Sequence, residues 1–266
     1  MLKKFNINTT EDLIRSINEL PNNFLYRGQA NAEWGLQSSL ERILDDEWTS
    51  ERVKKFEEMS LIQFKSKFHL YDKENIQPES KLAWLSLMQH YGVPTRLLDF
   101  TESPYVALYF ALEYYNPLQK IPLSLYALDY AAILEKSIDY IKSKDNEFKE
   151  TKESIHEKQD EIFSNVVDRF SYNIAWVTEP KLLNVRLDRQ AGSFLLSGNS
   201  NLRIEQTLDL DIYKSTDMIK YVIHPDLYVG IFALLRKMNI TSKSLYGDLD
   251  GVARGIRMAM QRYSVN

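Results

Sequence analysis

Residues 89–112, QHYGVPTRLLDFTESPYVALYFAL, contain the clearest structural signals in the chain. Gly92 and Pro94 predict the end of one helix. Ser103 followed by Pro104 predicts the start of the next, because Ser is a favoured N-cap and Pro suits the first helical position. Apolar residues then recur at helical spacing: Ala107, Phe110, Ala111 and Tyr114. This stretch therefore predicts two helices joined by a short loop.

The loop between these helices is unusually polar. It brings His90, Arg96, Asp99 and Thr101 close together in the sequence, just before a helix N-terminus. Such a segment is typical of an anion or ligand site. Structural interpretations stay open, since Arg96 could pair with Asp99 and His90 could cap the end of the first helix.

Two further segments place polar residues beside apolar strands. YRGQ, residues 26–29, sets a guanidinium next to a glycine, which would allow a ligand to approach the backbone closely. RLDRQAGSF, residues 186–194, sets charged side chains and Gln190 at the entry to a strand containing Gly192. Each segment could instead be structural, as a surface ion pair or an ordinary strand entry.

Composition bounds the function classes. The chain has 266 residues and a formal net charge of −4, so a basic footprint over the whole surface is absent. With no cysteine there is no disulfide, thiolate metal site or cysteine nucleophile. The four histidines are too far apart in sequence for a helical zinc motif. No apolar run is long enough to span a membrane and no signal peptide is evident, so we expect a cytoplasmic protein without a membrane partner.

The remaining pattern predicts one α+β domain over residues 1–266, rich in helix around a small mixed or antiparallel sheet. The expected helices cover 9–20, capped by Thr10, then 51–70, 80–90, 103–115, 225–238 and 248–262, with a helical insertion at about 131–170. The expected strands cover 24–27, where Gly28 breaks the run, then 123–128, 175–177, 193–196 and 221–223.

Four segments together resemble the FRG domain, named for its Phe/Tyr-Arg-Gly motif. They are LYRGQ, QHYGVPTRLLDFTESPYVALYFAL, RLDRQAGSFLL and SLYGDLDGVARGI, and the resemblance spans roughly residues 10–262. Tyr26 stands where many members have Phe, and Phe100 where many have Trp.

A weaker resemblance is to mono-ADP-ribosyltransferases of the Arg–Ser–Glu type. Arg27 looks like their first element, Asp99-Phe100-Thr101 followed by A-x-x-F-A looks like the second, and Gln190 stands where most have Glu. This resemblance implies an ADP-ribosyltransferase-like core that uses NAD⁺ as substrate and requires no metal. The implied catalytic residues are Arg27, His90, Asp99 and Gln190. The implied NAD-binding residues are Tyr26, Arg27, Gly28, Gln29, Tyr91, Arg96, Phe100, Thr101 and Tyr105.

Three functions follow as hypotheses. The first is an NAD⁺-dependent ADP-ribosyltransferase, such as the toxin of a bacterial toxin–antitoxin or phage-defence system. Its partners would be NAD⁺, an acceptor protein or nucleic acid, RNA included, and an antitoxin protein. The second is a non-catalytic module that binds a nucleotide or nucleic acid in the same cleft. The third is a nuclease or other hydrolase, which the scarcity of histidines and the lack of clustered acidic residues disfavour.

Overall fold

The computed structural model describes residues 2–71, 77–182 and 184–264. In these residues seven strands form one sheet in the order β1-β7-β4-β2-β3-β6-β5. The strands are β1 (Lys3–Ile7), β2 (Phe24–Gln29), β3 (Leu98–Thr101), β4 (Leu123–Asp129), β5 (Ala175–Thr178), β6 (Gly192–Ser197) and β7 (Met218–Ile223). The sheet is mixed, because β1 runs parallel to β7 while the other described neighbours are antiparallel.

Of the described strand ladders, the one between β2 and β3 at the centre of the sheet has the fewest residue pairs. Strand β2 pairs with β4 along its full length, from Phe24 to Gln29, and β3 pairs with β6 from Leu98 to Thr101. Between β2 and β3, by contrast, the described ladder has one residue pair, Tyr26 with Thr101. The sheet therefore consists of two halves, β1-β7-β4-β2 and β3-β6-β5, that separate beyond this pair.

Thirteen α-helices in the described residues cover the sheet. They are α1 (Thr10–Asn18), α2 (Ser39–Leu44), α3 (Ser50–Phe68), α4 (Lys81–His90), α5 (Pro104–Glu113), α6 (Tyr130–Lys144), α7 (Lys152–Glu157), α8 (Gln159–Asn165), α9 (Val185–Arg189), α10 (Ile204–Leu208), α11 (Tyr228–Lys237), α12 (Ser242–Tyr246) and α13 (Leu249–Tyr263). A mixed α/β architecture with helices around one sheet is thus confirmed.

Helix starts follow the caps in the sequence. Ser80 caps α4 and Ser103 caps α5, each accepting a hydrogen bond from a backbone N–H of the first turn. At α1 the prediction was wrong by one residue, because the hydroxyl of Thr9, rather than Thr10, accepts from the Asp12 N–H.

Helix α5 packs directly against β2 through two residues without long side chains. Ala107 is fully buried, and a Cβ placed on Gly28 would lie 1.8 Å from the Ala107 carbonyl oxygen. Because only glycine permits this approach, Gly28 is first a packing residue. The strand does not break at Gly28 as predicted but continues to Gln29, since its partner β4 runs alongside.

The predicted helical insertion at about 131–170 is present as α6, α7 and α8. Its apolar residues enter a core cluster shared with α4 and the β5–β6 edge, as Ile141, Ile155 and Phe163 show. Many of its charged residues are exposed, whereas Asp168 pairs with Lys81 and Arg96. The insertion therefore covers one part of the sheet rather than standing apart from it.

Six of the described elements were not predicted: the strands β1 and β3 and the short helices α2, α9, α10 and α12. Strand β3 lies within the segment that the sequence suggested was only a loop, and α9 lies where a strand entry was expected. Both are four or five residues long, too short to show a hydrophobic period. In the described part of the chain, no helix has both the length and the apolar character needed to cross a membrane.

Candidate functional site

A cleft of about 790 Å³ opens where β2 and β3 separate. This volume lies within the range of roughly 300–1,000 Å³ that is usual for small-molecule sites. The predicted catalytic residues Arg27, His90, Asp99 and Gln190 all line it, although about 60 to 90 residues separate their segments. The structure thus brings the four together, while their chemical roles stay predictions.

Arg27 spans the gap between the two halves of the sheet. It lies on β2 and its Nη1 donates to the backbone carbonyl of Asp99 on β3, at 2.7 Å. Its Nε is buried and has no hydrogen-bond partner among the residues that the structure describes. Burial lowers the pKa of Arg27, Asp99 opposes this and Arg42 adds to it. An Arg remains charged under such a shift, so the guanidinium presents partly unsatisfied donors to the cleft.

Asp99 offers an exposed carboxylate on the opposite wall. Its Oδ1 accepts from Gln89 Nε2 at 2.6 Å, and Gln89 Oε1 in turn accepts from the Thr95 hydroxyl. The predicted pair between Arg96 and Asp99 does not form. Asp99 is therefore oriented by a neutral amide and keeps its negative charge available to a ligand.

His90 is the last residue of α4, and its Nδ1 is buried with no described partner. Burial lowers the pKa of His90, and the positive charge of Arg186 lowers it further, against the opposing effect of Asp248 and Asp250. The imidazole is accordingly neutral at pH 7, the form that can accept a proton.

Gln190 follows α9 and lies at the turn into β6. Its Nε2 makes only a long contact, 3.4 Å, to the Leu245 carbonyl. Its backbone carbonyl accepts from the Thr101 hydroxyl at 2.6 Å, and Thr101 Oγ1 accepts from Ser103 N–H. Thr101 therefore fixes the turn that carries Gln190 and the start of α5, and the Gln190 amide remains available.

Arg96, predicted to bind pyrophosphate, lies outside this cleft. It is 4% exposed and its guanidinium contacts Glu57 at 2.9 Å and Asp168 at 2.5 Å. Lys81 contacts the same two carboxylates. The structure therefore corrects this prediction, because the Arg96 guanidinium is already paired within the fold, where it joins the loop before β3 to α3 and to the turn after α8.

The aromatic residues predicted to stack on NAD⁺ are placed differently. Tyr26 and Phe100 lie at the cleft wall but are each 4% exposed, so neither ring offers a free face. Tyr91 and Tyr105 are not among the lining residues, since Tyr91 packs beside Phe64 and the Tyr105 hydroxyl donates to Asn18.

Other rings line the cleft in their place. Trp34 is 52% exposed and Tyr114 is 59% exposed, while Phe110 is half-buried. The backbone carbonyl of Trp34 accepts from Tyr126 and from Lys220. The loop that carries Trp34 is thus attached to the sheet, and the indole is presented to solvent at the cleft.

The predicted binding residues Gly28 and Gln29 also line the cleft. Gln29 is buried and its Nε2 donates to the Gly35 carbonyl at 2.9 Å, so it supports the Trp34 loop. Gly192, predicted to allow close ligand approach, instead makes room for Leu187, whose Cδ1 lies 2.5 Å from an added Cβ.

Arg42 and Arg186 are lining residues that the sequence did not single out as site residues. Arg42 directly follows the capping box of α2, a pattern that indicates only the start of a helix. Arg186 lies in the segment RLDRQAGSF, in which the sequence indicated Gln190 as the site residue. Within the described ranges, no group of three or more His, Asp or Glu side chains is arranged to hold a metal ion. The prediction of a metal-free site stays a prediction.

The comparison with known families concerns the part of the cleft that is built from β2, β3 and α5. Residues 22–120 match an FRG domain. The FRG domain supplies Arg27, His90 and Asp99, whereas Gln190 lies beyond the matched residues. No curated protein and no solved structure gives a significant match. That a single FRG domain spans residues 1–266 stays a prediction.

Proposed function

We propose that this FRG domain protein is an NAD⁺-dependent ADP-ribosyltransferase. The observation that supports this most directly is the convergence of Arg27, His90, Asp99 and Gln190 on one cleft where the sheet divides. The cleft combines cationic donors for a diphosphate, an exposed carboxylate and a neutral imidazole. Each of these groups has a use in ADP-ribosyl transfer from NAD⁺.

Arg27 and Arg42 would bind the diphosphate of NAD⁺. Arg42 is exposed, donates through Nη1 to the Gln37 carbonyl, and is close enough to Arg27 to lower its pKa. Two neighbouring guanidinium groups repel each other unless an anion lies between them, and a diphosphate accepts several of their N–H bonds. The exposed indole of Trp34 would stack on one of the rings.

The chemical step breaks the bond between ribose C1′ and the nicotinamide nitrogen. Nicotinamide leaves with the bonding electron pair and becomes neutral, while positive charge develops on the ribose as an oxocarbenium ion. Asp99 would stabilise that charge. The acceptor then forms the new bond to C1′, and its proton passes to neutral His90. Gln190 would orient a ribose hydroxyl or the acceptor.

The biological setting that we propose is the one that the resemblance implies. The protein would act in the cytoplasm as a toxin of a toxin–antitoxin or phage-defence system, held by an antitoxin protein. The support for this setting is the FRG domain itself.

The test measures NAD⁺ affinity by calorimetry and release of nicotinamide in cell extract. We expect Arg27→Gln to weaken NAD⁺ binding about ten- to a hundredfold, because a charge-assisted contact is lost. Gln190→Ala should retain binding and lose transfer. Lys214→Gln is the charge-matched control, since Lys214 is exposed and pairs only with Asp211 among the described residues.

Two outcomes would overturn the transferase. If the wild-type protein binds NAD⁺ but neither releases nicotinamide nor labels an acceptor, the cleft is a nucleotide-binding module. If it neither binds nor consumes NAD⁺ in extract, the cleft has another ligand. Should Arg27→Gln unfold the protein instead, the bond from Arg27 to the Asp99 carbonyl is structural.

A further inference from the structure

Arg186 lies on the wall of the cleft that belongs to the β3-β6-β5 half of the sheet. It is part of the short helix α9, which packs on β6 and α12, and it is half-buried. Its guanidinium carbon lies 4.6 Å from the centre of the Tyr246 ring. Stacking on an aromatic face fixes the plane of a guanidinium and leaves the N–H groups at its edge free to bind a ligand.

Tyr246 is itself held firmly. Its hydroxyl donates to the buried carboxylate of Glu113 at 2.9 Å, and Arg254 packs on the ring at 4.7 Å. Glu113 also accepts from Tyr109 and is fully buried. The Arg186 guanidinium therefore stacks on a ring that is itself fixed, so that holding it in one orientation costs little further side-chain entropy when a ligand binds.

Arg186 makes no ion pair or side-chain hydrogen bond with the residues that the structure describes. Asp248 and Asp250, whose negative charges act on His90 at this wall, are bound to other groups. Asp248 accepts from the Gly251 N–H as the cap of α13, and Asp250 accepts from Arg254 Nε at 2.7 Å. A guanidinium whose plane is fixed by stacking, and whose N–H donors have no partner among the described residues, can bind an anion from outside the chain.

This wall differs electrostatically from the Arg27 wall. The principal charges acting on Arg27 are those of Asp99 and Arg42, whereas those acting on His90 are Arg186, Asp248 and Asp250. Strand β3 lies between β2, which carries Arg27, and β6, on which the helix of Arg186 packs. The cleft therefore has two cationic ends, and the diphosphate of one NAD⁺ molecule would occupy the Arg27 end.

We infer that Arg186 forms a second anion subsite, which binds the terminal phosphate of a nucleotide, either free or at the end of a nucleic-acid strand. A guanidinium fork matches phosphate geometry, and the exposed ring of Tyr114 on the same cleft provides a face for a base. That this nucleotide is the acceptor rests on the proposed function, but its binding does not.

The test compares a short single-stranded RNA bearing a 5′-phosphate with the same RNA bearing a 5′-hydroxyl, by fluorescence anisotropy at fixed salt. Adenosine 5′-monophosphate against adenosine, by calorimetry, distinguishes a free nucleotide from a strand end. We expect the 5′-phosphate to improve binding about tenfold or more, as for hydrogen bonds to a charged group. Arg186→Gln should abolish this preference, and Arg186→Lys should retain part of it.

Arg189→Gln is the matched control, because Arg189 is on the same helix and does not line the cleft. The inference is overturned if the phosphate gives no preference in either ligand pair, or if Arg189→Gln removes the preference as fully as Arg186→Gln. Wild-type protein that shows the preference without binding NAD⁺ would refute the transferase and leave this subsite standing. A protein that consumes NAD⁺ without the preference would do the reverse and would point to a protein acceptor.

Discussion

The protonation state of His90 determines how the proposed transfer depends on pH. Burial and Arg186 lower its pKa, so it takes up a proton only at a more acidic pH than an ordinary histidine. We therefore expect transfer to be constant near pH 7 and to fall only below about pH 6.5, as the ring becomes protonated. A pH–rate profile measures this.

His90→Gln is the variant for that profile. It should lower the rate and remove the acidic limb, while NAD⁺ affinity changes little. His224→Gln is the control, since His224 is exposed and does not line the cleft. A limb that persists in His90→Gln would assign it to another group.

Some site residues were predictable because their chemistry is visible in one segment. An Arg before a Gly in a strand, and a polar segment before a capped helix, indicated Arg27, His90 and Asp99 without coordinates. Arg96 could not be judged in this way, because its partners Glu57 and Asp168 are far from it in the sequence. Trp34 gave no signal, since an exposed ring in a loop has no periodicity.

At the scale of elements, the buried ion pairs of Arg96 join the loop before β3 to α3 and to the turn after α8. Arg96→Ala should destabilise the protein by about 3–5 kcal/mol, because Glu57 would be left charged and buried. Urea unfolding measures this. Arg169→Ala, which removes an exposed arginine, should cost far less. Loss of NAD⁺ binding in the folded fraction of Arg96→Ala would show that Arg96 belongs to the site after all.

The same ion pairs set an acid limit on stability. Burial by itself would raise the pKa of Glu57, but Arg96 and Lys81 overcome this and hold the pKa below its usual value. Glu57 therefore stabilises the fold above its unfolded pKa of about 4.3, and that contribution is lost as the pH falls through the lower folded value. Glu57→Gln should make stability less dependent on pH in this acidic range.

Helix α5 has one face on the sheet and another on the cleft, and Phe110 belongs to the second. The helical spacing of Phe110 with Ala107 predicts that both pack on the sheet, and full burial of Phe110 would give a cost of about 3–5 kcal/mol for Phe110→Ala. Phe110 does pack against the core cluster of Ala107, but it is only half-buried and also lines the cleft. We expect Phe110→Ala to cost less stability than Leu108→Ala, whose side chain is 1% exposed, and to weaken ligand binding more. Urea titration and NAD⁺ calorimetry on both variants measure this.

The longer helices were easier to predict than strand β3 for a physical reason. A helix start is encoded locally, by a cap such as Ser80 or Ser103 and the apolar residues that follow it. Strand β3 is four residues long and is defined by its partner β6, almost a hundred residues later in the chain. The cleft itself depends on β2 and β3 separating, which no local pattern in either strand encodes.

At the scale of the whole molecule, the first and last strands along the chain lie side by side. Strand β1 pairs in parallel with β7, from Lys3 with Ile219 to Ile7 with Ile223, and forms one edge of the sheet. Most of β1 is exposed, and its ion pair from Lys3 to Asp217 lies at the surface. Such a surface pair contributes little to stability, so β1 is held in the sheet mainly by its main-chain hydrogen bonds.

We therefore expect strand β1 to protect the protein from self-association. Without it, the apolar strand β7 (MIKYVI) would present unpaired N–H and C=O groups to other molecules, which is the usual origin of edge-to-edge aggregation. We expect deletion of residues 2–7 to give a protein that aggregates on warming, with light scattering that rises steeply with concentration. The double substitution of Lys3 and Lys4 by Gln keeps the strand and should remain largely monodisperse. For anyone expressing this protein, an affinity tag that disturbs the first seven residues would then be the first cause to examine when the yield is insoluble.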